Sequence, residues 1–148
     1  MKKFTARITE MNTMYKLPVN HLPTLPIDVA DRLVKFKRTL AEEVDEIDDL
    51  VFIADLASAP QEAVLTGIAD LLGDVVVYCF SEALKYGIPL EEVLQVIMDS
   101  NESKLGADGK PIYNSDGKFL KGPNYWKPEP KIRQLLTAVG GCSNVASL

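Results

Sequence analysis

The stretch GIADLLGDVVVYCF, residues 67–80, decides the fold, because ten of its fourteen residues are apolar and two are aspartates. Asp70 and Asp74 stand four residues apart, so on a helix their carboxylates lie one turn apart on the same face, with Cβ atoms roughly 5–6 Å apart. At an effective dielectric of about 20, two like charges about 6 Å apart repel by roughly 3 kcal/mol. A positive charge close to the pair is therefore expected.

The composition is typical of one soluble globular domain. Of the 148 residues, 47% are hydrophobic and 25% are charged, which is enough to bury a sizeable core within a single domain, residues 1–148. No stretch of about 18 apolar residues is free of charge, and no apolar run follows the N-terminal lysines, so we expect neither a transmembrane helix nor a signal peptide. The cytoplasm is the expected location. The two cysteines, Cys79 and Cys142, form neither a metal spacing nor a disulfide framework.

The charge balance restricts the partners. Lys and Arg number 16 and Asp and Glu number 21, so the formal net charge is −5. Nucleic-acid binders usually carry a basic patch or stripe, so this balance argues against nucleic acid as a partner. An anionic substrate would need a cation or a local group of lysines to bind this chain.

Hydrophobic periodicity predicts an all-α fold. Apolar residues recur at spacings of three and four over residues 27–56, which indicates a long amphipathic helix. A second long helix is expected from residue 60 to about residue 86, with Gly87 as its C-terminal stop. A third helix begins at Pro89, with two acids in its first turn, where the helix dipole favours them.

The segments outside these three helices are short or rich in turn residues. Residues 1–26 contain three prolines and are expected to form at most a short helix followed by extended chain. Residues 106–130 hold two Asp-Gly turn signals and predict a long loop with room for a small hairpin. A short helix is expected over residues 130–139. The fold class is therefore a bundle of three or four main helices with a long turn-rich loop after the third, and a loop of this length is usually functional or disordered.

The first long helix carries a dense acidic segment. Six of the eight residues 42–49 are acidic, and for most of them a solvated helix face is a sufficient interpretation. At about 100° per residue, the apolar stripe of this helix defines the side that faces the core. Glu42 projects away from that side. Glu43 falls at the edge of the core face with Glu46 beside it, so these two acids point toward a neighbouring helix.

The second long helix carries one narrow polar strip, and most of its remaining circumference is apolar. The strip consists of Thr66, Asp70, Asp74, Ser81 and Lys85. A water-facing stripe is the simple alternative for it. Lys85 lies too far along the helix to neutralise both aspartates.

Packed antiparallel, the two long helices would place Glu43, Glu46, Asp70 and Asp74 around one cavity. Ligands that are all oxygen suit Mg²⁺ or Mn²⁺, whereas zinc prefers histidine and cysteine. His21 is the only histidine of the chain, so a histidine-based site is nearly excluded. A divalent cation is therefore the expected positive charge. Because Mg²⁺ commonly bridges carboxylates to substrate phosphates, the expected ligand is a phosphate ester.

Five segments occur in an order and spacing that resemble one known family. They are MYKLPVNHLPTLP, EEVDE, DLLGDVVVYCFSEALKYGI, SNESK and DGKFLKGPNYWKPEP, which together reach to about Pro130. They resemble the lead-in, the EExxE motif, the second acidic helix, and the Asn-xx-Lys and Asp-Gly-Lys…Lys-Gly-Pro-Asn segments of the all-α nucleoside triphosphate pyrophosphohydrolase superfamily. This superfamily includes the MazG-like and the phosphoribosyl-ATP pyrophosphohydrolase-like proteins.

One departure from the family pattern concerns Asp70. Many relatives carry ExxD in the second acidic helix, but the residue three before Asp74 is Leu71. The resemblance implies that Asp70 takes the ligand role, as in the DxxxD branch of the superfamily. Because a shorter acid shifted by about 100° cannot occupy the same coordinate position, the role of Asp70 stays open.

The resemblance implies an activity and a set of residues that perform it. The expected reaction is hydrolysis of a nucleoside triphosphate between its α and β phosphates, giving a nucleoside monophosphate and pyrophosphate. Glu43, Glu46, Asp70 and Asp74 would hold one or two Mg²⁺ ions, with Mn²⁺ as an alternative. Glu42 and Glu43 are the candidate catalytic residues, Glu42 as a base or as a ligand to a second metal.

The turn-rich segment would supply contacts to the substrate. Asn101 and Lys104 lie at positions i and i+3 on the third helix and hence on one face, and they would bind phosphates together with Lys118 and Lys121. The aromatic residues of the loop, Tyr125 and Trp126, would stack on the base or close the site. The simple alternatives are solvated loop charges for the lysines and packing against the domain for the aromatic residues.

Several functional alternatives remain beside this expectation. Within enzymes, a hydrolase specific for dUTP or dCTP and a phosphoribosyl-ATP pyrophosphohydrolase fit the same motifs. Outside enzymes, the chain could be a helical dimerisation module or a nucleotide sensor that binds without turnover. Relatives form dimers or tetramers with sites near subunit contacts, so a homodimer or homotetramer that completes or covers the site is expected, with no membrane partner.

Overall fold

The computed structural model describes residues 3–140 and shows an all-α fold. Within this range it has five helices and one small sheet, so the expected fold class is confirmed. In chain order the elements are α1 (Phe4–Met14), α2 (Val29–Asp55), α3 (Gln61–Lys85), α4 (Leu90–Glu102), β1 (Ile112–Tyr113), β2 (Phe119–Leu120) and α5 (Glu129–Gly140). Cys142 lies outside the described residues.

The chain divides into two compact units, Met1–Gly87 and Ile88–Leu148. The first unit contains α1, α2 and α3. The second unit contains α4, the two-stranded sheet and α5. The acidic segments thus fall in the first unit, and the turn-rich segment falls in the second.

An antiparallel pair, α2 and α3, forms the centre of the first unit. Near the connection between the two helices, a Cβ atom at Gly67 would lie 2.5 Å from Leu50 Cδ2, so the helices approach closely where α3 has no side chain. Farther from the connection, Glu43 on α2 interacts with Asp74 on α3. Because the two helices are antiparallel, residues earlier in α2 lie opposite residues later in α3. The acidic segment of α2 therefore faces the aspartates of α3.

The N-terminal helix packs on α3 through a buried polar pair. Asn12 is fully buried, at 0% exposure. Its Nδ2 donates to the Ser81 carbonyl oxygen at 3.1 Å, and Ser81 Oγ donates back to Asn12 Oδ1 at 2.7 Å. An edge-to-face contact between Phe4 and Phe80, with ring centroids 5.4 Å apart, adds to the same interface. The simple alternative of a water-facing strip is therefore wrong for Ser81, which α1 buries.

The segment between α1 and α2 forms hydrogen bonds with the C-terminal end of α3. The backbone N–H groups of Asn20 and Thr24 donate to the carbonyl oxygens of Leu84 and Tyr86, both at 2.8 Å. Asn20 Nδ2 also donates to the Lys85 carbonyl oxygen at 2.6 Å. Carbonyl groups at a helix end have no partner within the helix, so this segment supplies the hydrogen bonds that α3 would otherwise lack.

The stop that was expected at Gly87 is a left-handed residue in close contact with this segment. Its φ is +64°, and a Cβ atom at this position would lie 2.0 Å from the Leu22 carbonyl oxygen. We expect Gly87→Ala to lower the free energy of unfolding by about 3 kcal/mol or more, because both the backbone conformation and a backbone contact are lost. In thermal unfolding this corresponds to a decrease in Tm of roughly 10 °C.

A matched control for this substitution is Gly117→Ala. Gly117 has φ +74°, but no atom lies within 4 Å of the position of its Cβ. This variant has the conformational cost alone, roughly 1–2 kcal/mol. Equal Tm values for the two variants would show that the contact of Gly87 with Leu22 contributes nothing.

In the second unit, the turn-rich segment forms a short hairpin and returns to α4. The strands β1 and β2 pair antiparallel, with Ile112 opposite Leu120 and Tyr113 opposite Phe119. Beyond the hairpin, the loop returns to the C-terminal end of α4, where Ser100 Oγ donates to the Trp126 carbonyl oxygen at 2.9 Å. Room for a hairpin was expected here, and the structure contains one.

One long helix leaves much of its apolar surface uncovered. Within residues 3–140, α3 is the one helix that is long and apolar enough to span a membrane by length and composition, and no residue of its apolar window is buried. Its exposed apolar residues recur at spacings of three and four and form a stripe: Leu65, Ile68, Leu72 and Val76. No spanning helix was expected, and one helix that qualifies by length and composition alone is weak evidence against that expectation.

Candidate functional site

Glu43 is a buried carboxylate on the α2 face that meets α3. Its side chain is 6% exposed, and its Oε2 atom is buried without a hydrogen-bond partner among the described residues. A buried polar atom that lacks a partner destabilises the fold. Such an atom in an otherwise well-formed helix pair indicates a place where a proton or a cation binds.

The electrostatic surroundings of Glu43 connect it to the other candidate ligands. Burial raises the pKa of Glu43, and the negative charges of Glu46 and Asp74, followed by that of Asp70, raise it further. The nearby Tyr78 hydroxyl acts in the opposite direction and lowers this pKa by hydrogen bonding. Acidic side chains from α2 and α3 therefore interact electrostatically at one place in the first unit.

Tyr78 belongs to the same group and was missed by the sequence analysis. Burial raises the pKa of the Tyr78 phenol, and the charges of Glu43 and Asp74 raise it further. The available signal was its position four residues after Asp74, which places it one turn farther along the same face of α3.

The acids do not form a closed metal cage in a single chain. Among residues 3–140, no group of three Asp, Glu, His or Cys side chains converges closely enough to hold a metal ion. Glu46, Asp70 and Asp74 are exposed, so their side chains are free to change rotamer. The donor chemistry still fits Mg²⁺, because every candidate ligand is a carboxylate and the fixed one, Glu43, has an oxygen without a partner.

Glu42 lies on the solvent side of α2. It is exposed, in agreement with the orientation expected from the helical periodicity. It is also absent from the charges that shift the pKa of Glu43. Its role as a base or as a second-metal ligand stays a prediction.

The second unit contains the predicted phosphate-binding and stacking residues. Lys104 Nζ donates to Asn101 Oδ1 at 2.6 Å. Asn101 lies in the last turn of α4, but the helix ends at Glu102, so Lys104 follows it in a turn and is not on the helix as expected. Lys121 Nζ lies 4.6 Å from the centroid of the Tyr125 ring. Trp126 is covered in the same way by Lys131, whose Nζ lies 3.5 Å from the ring centroid. Lys118 is exposed on the hairpin.

The raised pKa of Glu43 predicts a pH-dependent stability for the metal-free protein. In the pH range between the ordinary carboxyl pKa and this raised pKa, the folded state binds more protons than the unfolded state, so stability is lost as the pH rises through that range. Glu43→Gln removes the charge. We therefore expect this variant to be more stable than the wild type at neutral pH and similar to it at about pH 4.

Urea unfolding in the presence of a chelator at both pH values measures this effect. Asp49→Asn on the same helix is the matched control, because Asp49 is exposed and lies outside the charges that act on Glu43. The difference in the free energy of unfolding between Asp49→Asn and the wild type should not change with pH. A Glu43→Gln protein that is less stable than the wild type at neutral pH would contradict the prediction.

Comparison with known proteins finds a solved structure with a similar fold. A crystal structure from Exiguobacterium sp. 255-15, described as a "putative NTP pyrophosphohydrolase", is similar to this chain with a TM-score of 0.53 and 17% sequence identity, over 93% of this chain and 96% of that one. No protein-family model and no curated protein sequence matches the chain. The similarity thus shows a shared fold over nearly the whole length.

Proposed function

We propose that this protein is a Mg²⁺-dependent pyrophosphohydrolase that cleaves a nucleoside triphosphate between its α and β phosphates. The observation that carries the proposal is Glu43, a buried carboxylate with an unpartnered oxygen that faces acids from the neighbouring helix. The similarity of the fold to a protein described as an NTP pyrophosphohydrolase supports the same assignment. The products would be a nucleoside monophosphate and pyrophosphate.

Four carboxylates would hold the metal. One of them is buried and the other three are exposed. Glu43 would supply the fixed oxygen, while Glu46, Asp70 and Asp74 would change rotamer to complete the ligand set. A bound Mg²⁺ or Mn²⁺ ion in such a site clamps phosphate oxygens and lowers the pKa of a bound water. Tyr78, whose hydroxyl lowers the pKa of Glu43, would help to orient this carboxylate.

Proton transfer and charge neutralisation would fall to other residues of the chain. Glu42 is exposed next to Glu43 in sequence and is the candidate base. The candidate phosphate ligands are Asn101, Lys104, Lys118 and Lys121, and the candidate stacking residues are Tyr125 and Trp126. These lysines would offset the repulsion that a chain of net charge −5 exerts on a polyphosphate.

A second copy of this chain is the proposed macromolecular partner, in a cytoplasmic homodimer or homotetramer. Within the described residues only Ile8, Ala83 and Val93 are buried hydrophobic side chains, whereas α3 exposes an apolar stripe. A surface of this kind is expected to be covered in an obligate assembly, where interfaces resemble a domain core.

Light scattering after size-exclusion chromatography tests the assembly. The expected mass in detergent-free buffer is at least twice the 16.3 kDa of one chain. A monomer of this mass would contradict the prediction. Association with lipid vesicles in place of self-association would instead assign the α3 surface to a membrane.

Pyrophosphate release from a panel of nucleotides tests the activity. The panel contains the ribonucleoside and deoxyribonucleoside triphosphates and phosphoribosyl-ATP, each with Mg²⁺ and with a chelator. Release that requires the metal supports the proposal, and the nucleotide turned over fastest distinguishes a general enzyme from one specific for dUTP, dCTP or phosphoribosyl-ATP. Binding without release at any metal concentration would indicate a nucleotide sensor, and neither binding nor release would leave a helical dimerisation module.

A further inference from the structure

The loop that follows the hairpin, residues 121–128, is attached to the C-terminal end of α4 at two places. At the first place, the Gly122 N–H donates to the Lys104 carbonyl oxygen at 2.7 Å. A Cβ atom at Gly122 would lie 2.0 Å from the Leu105 carbonyl oxygen, so a residue without a side chain permits this close approach. The second place is the backbone of Trp126, which contacts two serines of the SNESK segment.

These serines bind both polar groups of the Trp126 backbone. Ser100 Oγ donates to the Trp126 carbonyl oxygen at 2.9 Å, and the Trp126 N–H donates to Ser103 Oγ at 3.2 Å. Ser103 Oγ donates its own proton to the Ser100 carbonyl oxygen at 2.7 Å, so its oxygen accepts from Trp126. A serine inside a helix commonly donates to a carbonyl group of its own helix. Ser100 is only 2% exposed and donates instead to a residue 26 positions later, so its hydroxyl holds the loop.

The loop that is held in this way carries positive charge. Residues 103–133 contain seven Lys and Arg against three Asp and Glu, in a chain whose net charge is −5. Lys121 Nζ lies over the Tyr125 ring and Lys131 Nζ lies over the Trp126 ring, at 4.6 and 3.5 Å from the centroids. Such cation–π contacts hold an ammonium group over the face of a ring. A lysine that is already held loses less conformational entropy when it binds an anion, so the position of Trp126 determines where these cations are presented.

We propose that Ser100 and Ser103 are positioning residues for the binding of a polyphosphate. They touch no phosphate themselves, but they fix the backbone of Trp126 on the end of α4 and thereby the ammonium groups around it. The inference rests on the proposed function for the identity of the ligand. It adds Lys131 to the phosphate-binding residues and gives Trp126 the role of holding this lysine, because the ring face that Lys131 covers is closed to a nucleobase.

Titration with inorganic tripolyphosphate in the presence of a chelator tests the inference, because neither a metal nor turnover then contributes to binding. The wild type should bind, and Ser100→Ala and Ser103→Ala should each weaken binding by roughly three- to tenfold, because the loss of a hydrogen bond frees the loop. Ser103→Thr keeps the hydroxyl and should restore the wild-type affinity. Ser115→Ala, at an exposed position in the turn of the hairpin, should bind as the wild type does. Absence of binding by the wild type, or an unchanged affinity of both alanine variants, would overturn the inference.

Tryptophan fluorescence measures the position of the loop without any ligand, because Trp126 is the only tryptophan of the chain. Acrylamide should quench this emission more strongly in Ser100→Ala than in the wild type, whereas Ser115→Ala should be quenched as the wild type is. If Ser100→Ala does not fold, Ser103→Ala gives the same comparison, because Ser103 is only half-buried. Equal quenching of the wild type and the alanine variants would show that the serines do not hold Trp126, and it would overturn the inference.

Steady-state kinetics separates this inference from the proposed function. If a nucleoside triphosphate is hydrolysed, Ser103→Ala should raise KM by roughly three- to tenfold and leave kcat within about twofold of the wild-type value. A general structural defect would instead lower kcat through the loss of folded protein and leave KM unchanged, and that result would overturn the inference. If no triphosphate is hydrolysed, weaker binding of tripolyphosphate by the alanine variants still supports the positioning role, and the hydrolase assignment alone is wrong.

Discussion

The Glu43→Gln variant is expected to lose metal-dependent pyrophosphate release, with kcat/KM at least about 100-fold below the wild-type value, or roughly 3 kcal/mol of transition-state stabilisation. The substitution keeps the shape of the side chain and removes the one candidate ligand that is buried and held in place. The loss should appear at saturating nucleotide, because the charge is needed to hold the metal.

Two further measurements make this result specific. The same variant should be more stable than the wild type in metal-free buffer at neutral pH, so a loss of activity cannot be attributed to unfolding. Calorimetric titration with Mg²⁺ or Mn²⁺ should show weakened metal binding for Glu43→Gln and for Asp74→Ala, whereas Asp49→Asn should bind as the wild type does. Full activity of Glu43→Gln would remove Glu43 from the site, and equal metal binding by Asp74→Ala and the wild type would remove Asp74.

The Asn12→Leu variant is expected to be the most destabilising substitution away from the acidic site, by about 2–4 kcal/mol. Asn12 is fully buried and exchanges two hydrogen bonds with Ser81 across the interface between α1 and α3. Leucine has a similar volume but offers no partner for the buried Ser81 hydroxyl. For a chain of this size, Tm should fall by roughly 6–12 °C.

A double-mutant cycle distinguishes the hydrogen bonds from general packing. Ser81→Ala alone leaves Asn12 Oδ1 buried without its donor, whereas Asn12→Leu combined with Ser81→Ala removes both polar groups. The double variant should therefore be less destabilised than the sum of the two single variants. Thr13→Ala, at an exposed position on the same helix, is the control for α1. Additive losses would show that the pair contributes through packing alone.

The helices were predictable because their periodicity is strong. The first two long helices were expected over residues 27–56 and 60–86, and the structure has them at Val29–Asp55 and Gln61–Lys85. Helical geometry also separated Glu43 from Glu42, one buried and the other exposed. The 3.6-residue repeat predicts the helices and their faces, while Pro60 and Gly87 mark the ends of the second one.

Contacts between distant segments could not be predicted in the same way. Ser81 belongs to the polar strip of α3, for which a water-facing stripe is the simple alternative, but α1 covers this residue with Asn12, 69 residues earlier in the chain. The burial of Glu82 could not be predicted from its position on α3 either, although its hydrogen-bond partners Lys85 and Tyr86 are only three and four residues away. Periodicity shows which face of a helix is polar, but it does not show which neighbour that face meets.

The way the N-terminal segment is attached has a consequence for folding and for ligand access. Its hydrogen bonds to the end of α3 join residues 65 and 69 positions apart, so they close a large loop, whereas α2 and α3 are neighbours in the chain. Loop closure of this size is entropically costly and slow, so the α2–α3 hairpin should form first and the N-terminal helix should dock last. The last element to dock is also the first to detach in local unfolding. Because Met11 of α1 lines a cavity that Asp74 also lines, detachment of α1 would open a route for ligands that leaves the acidic helix pair intact.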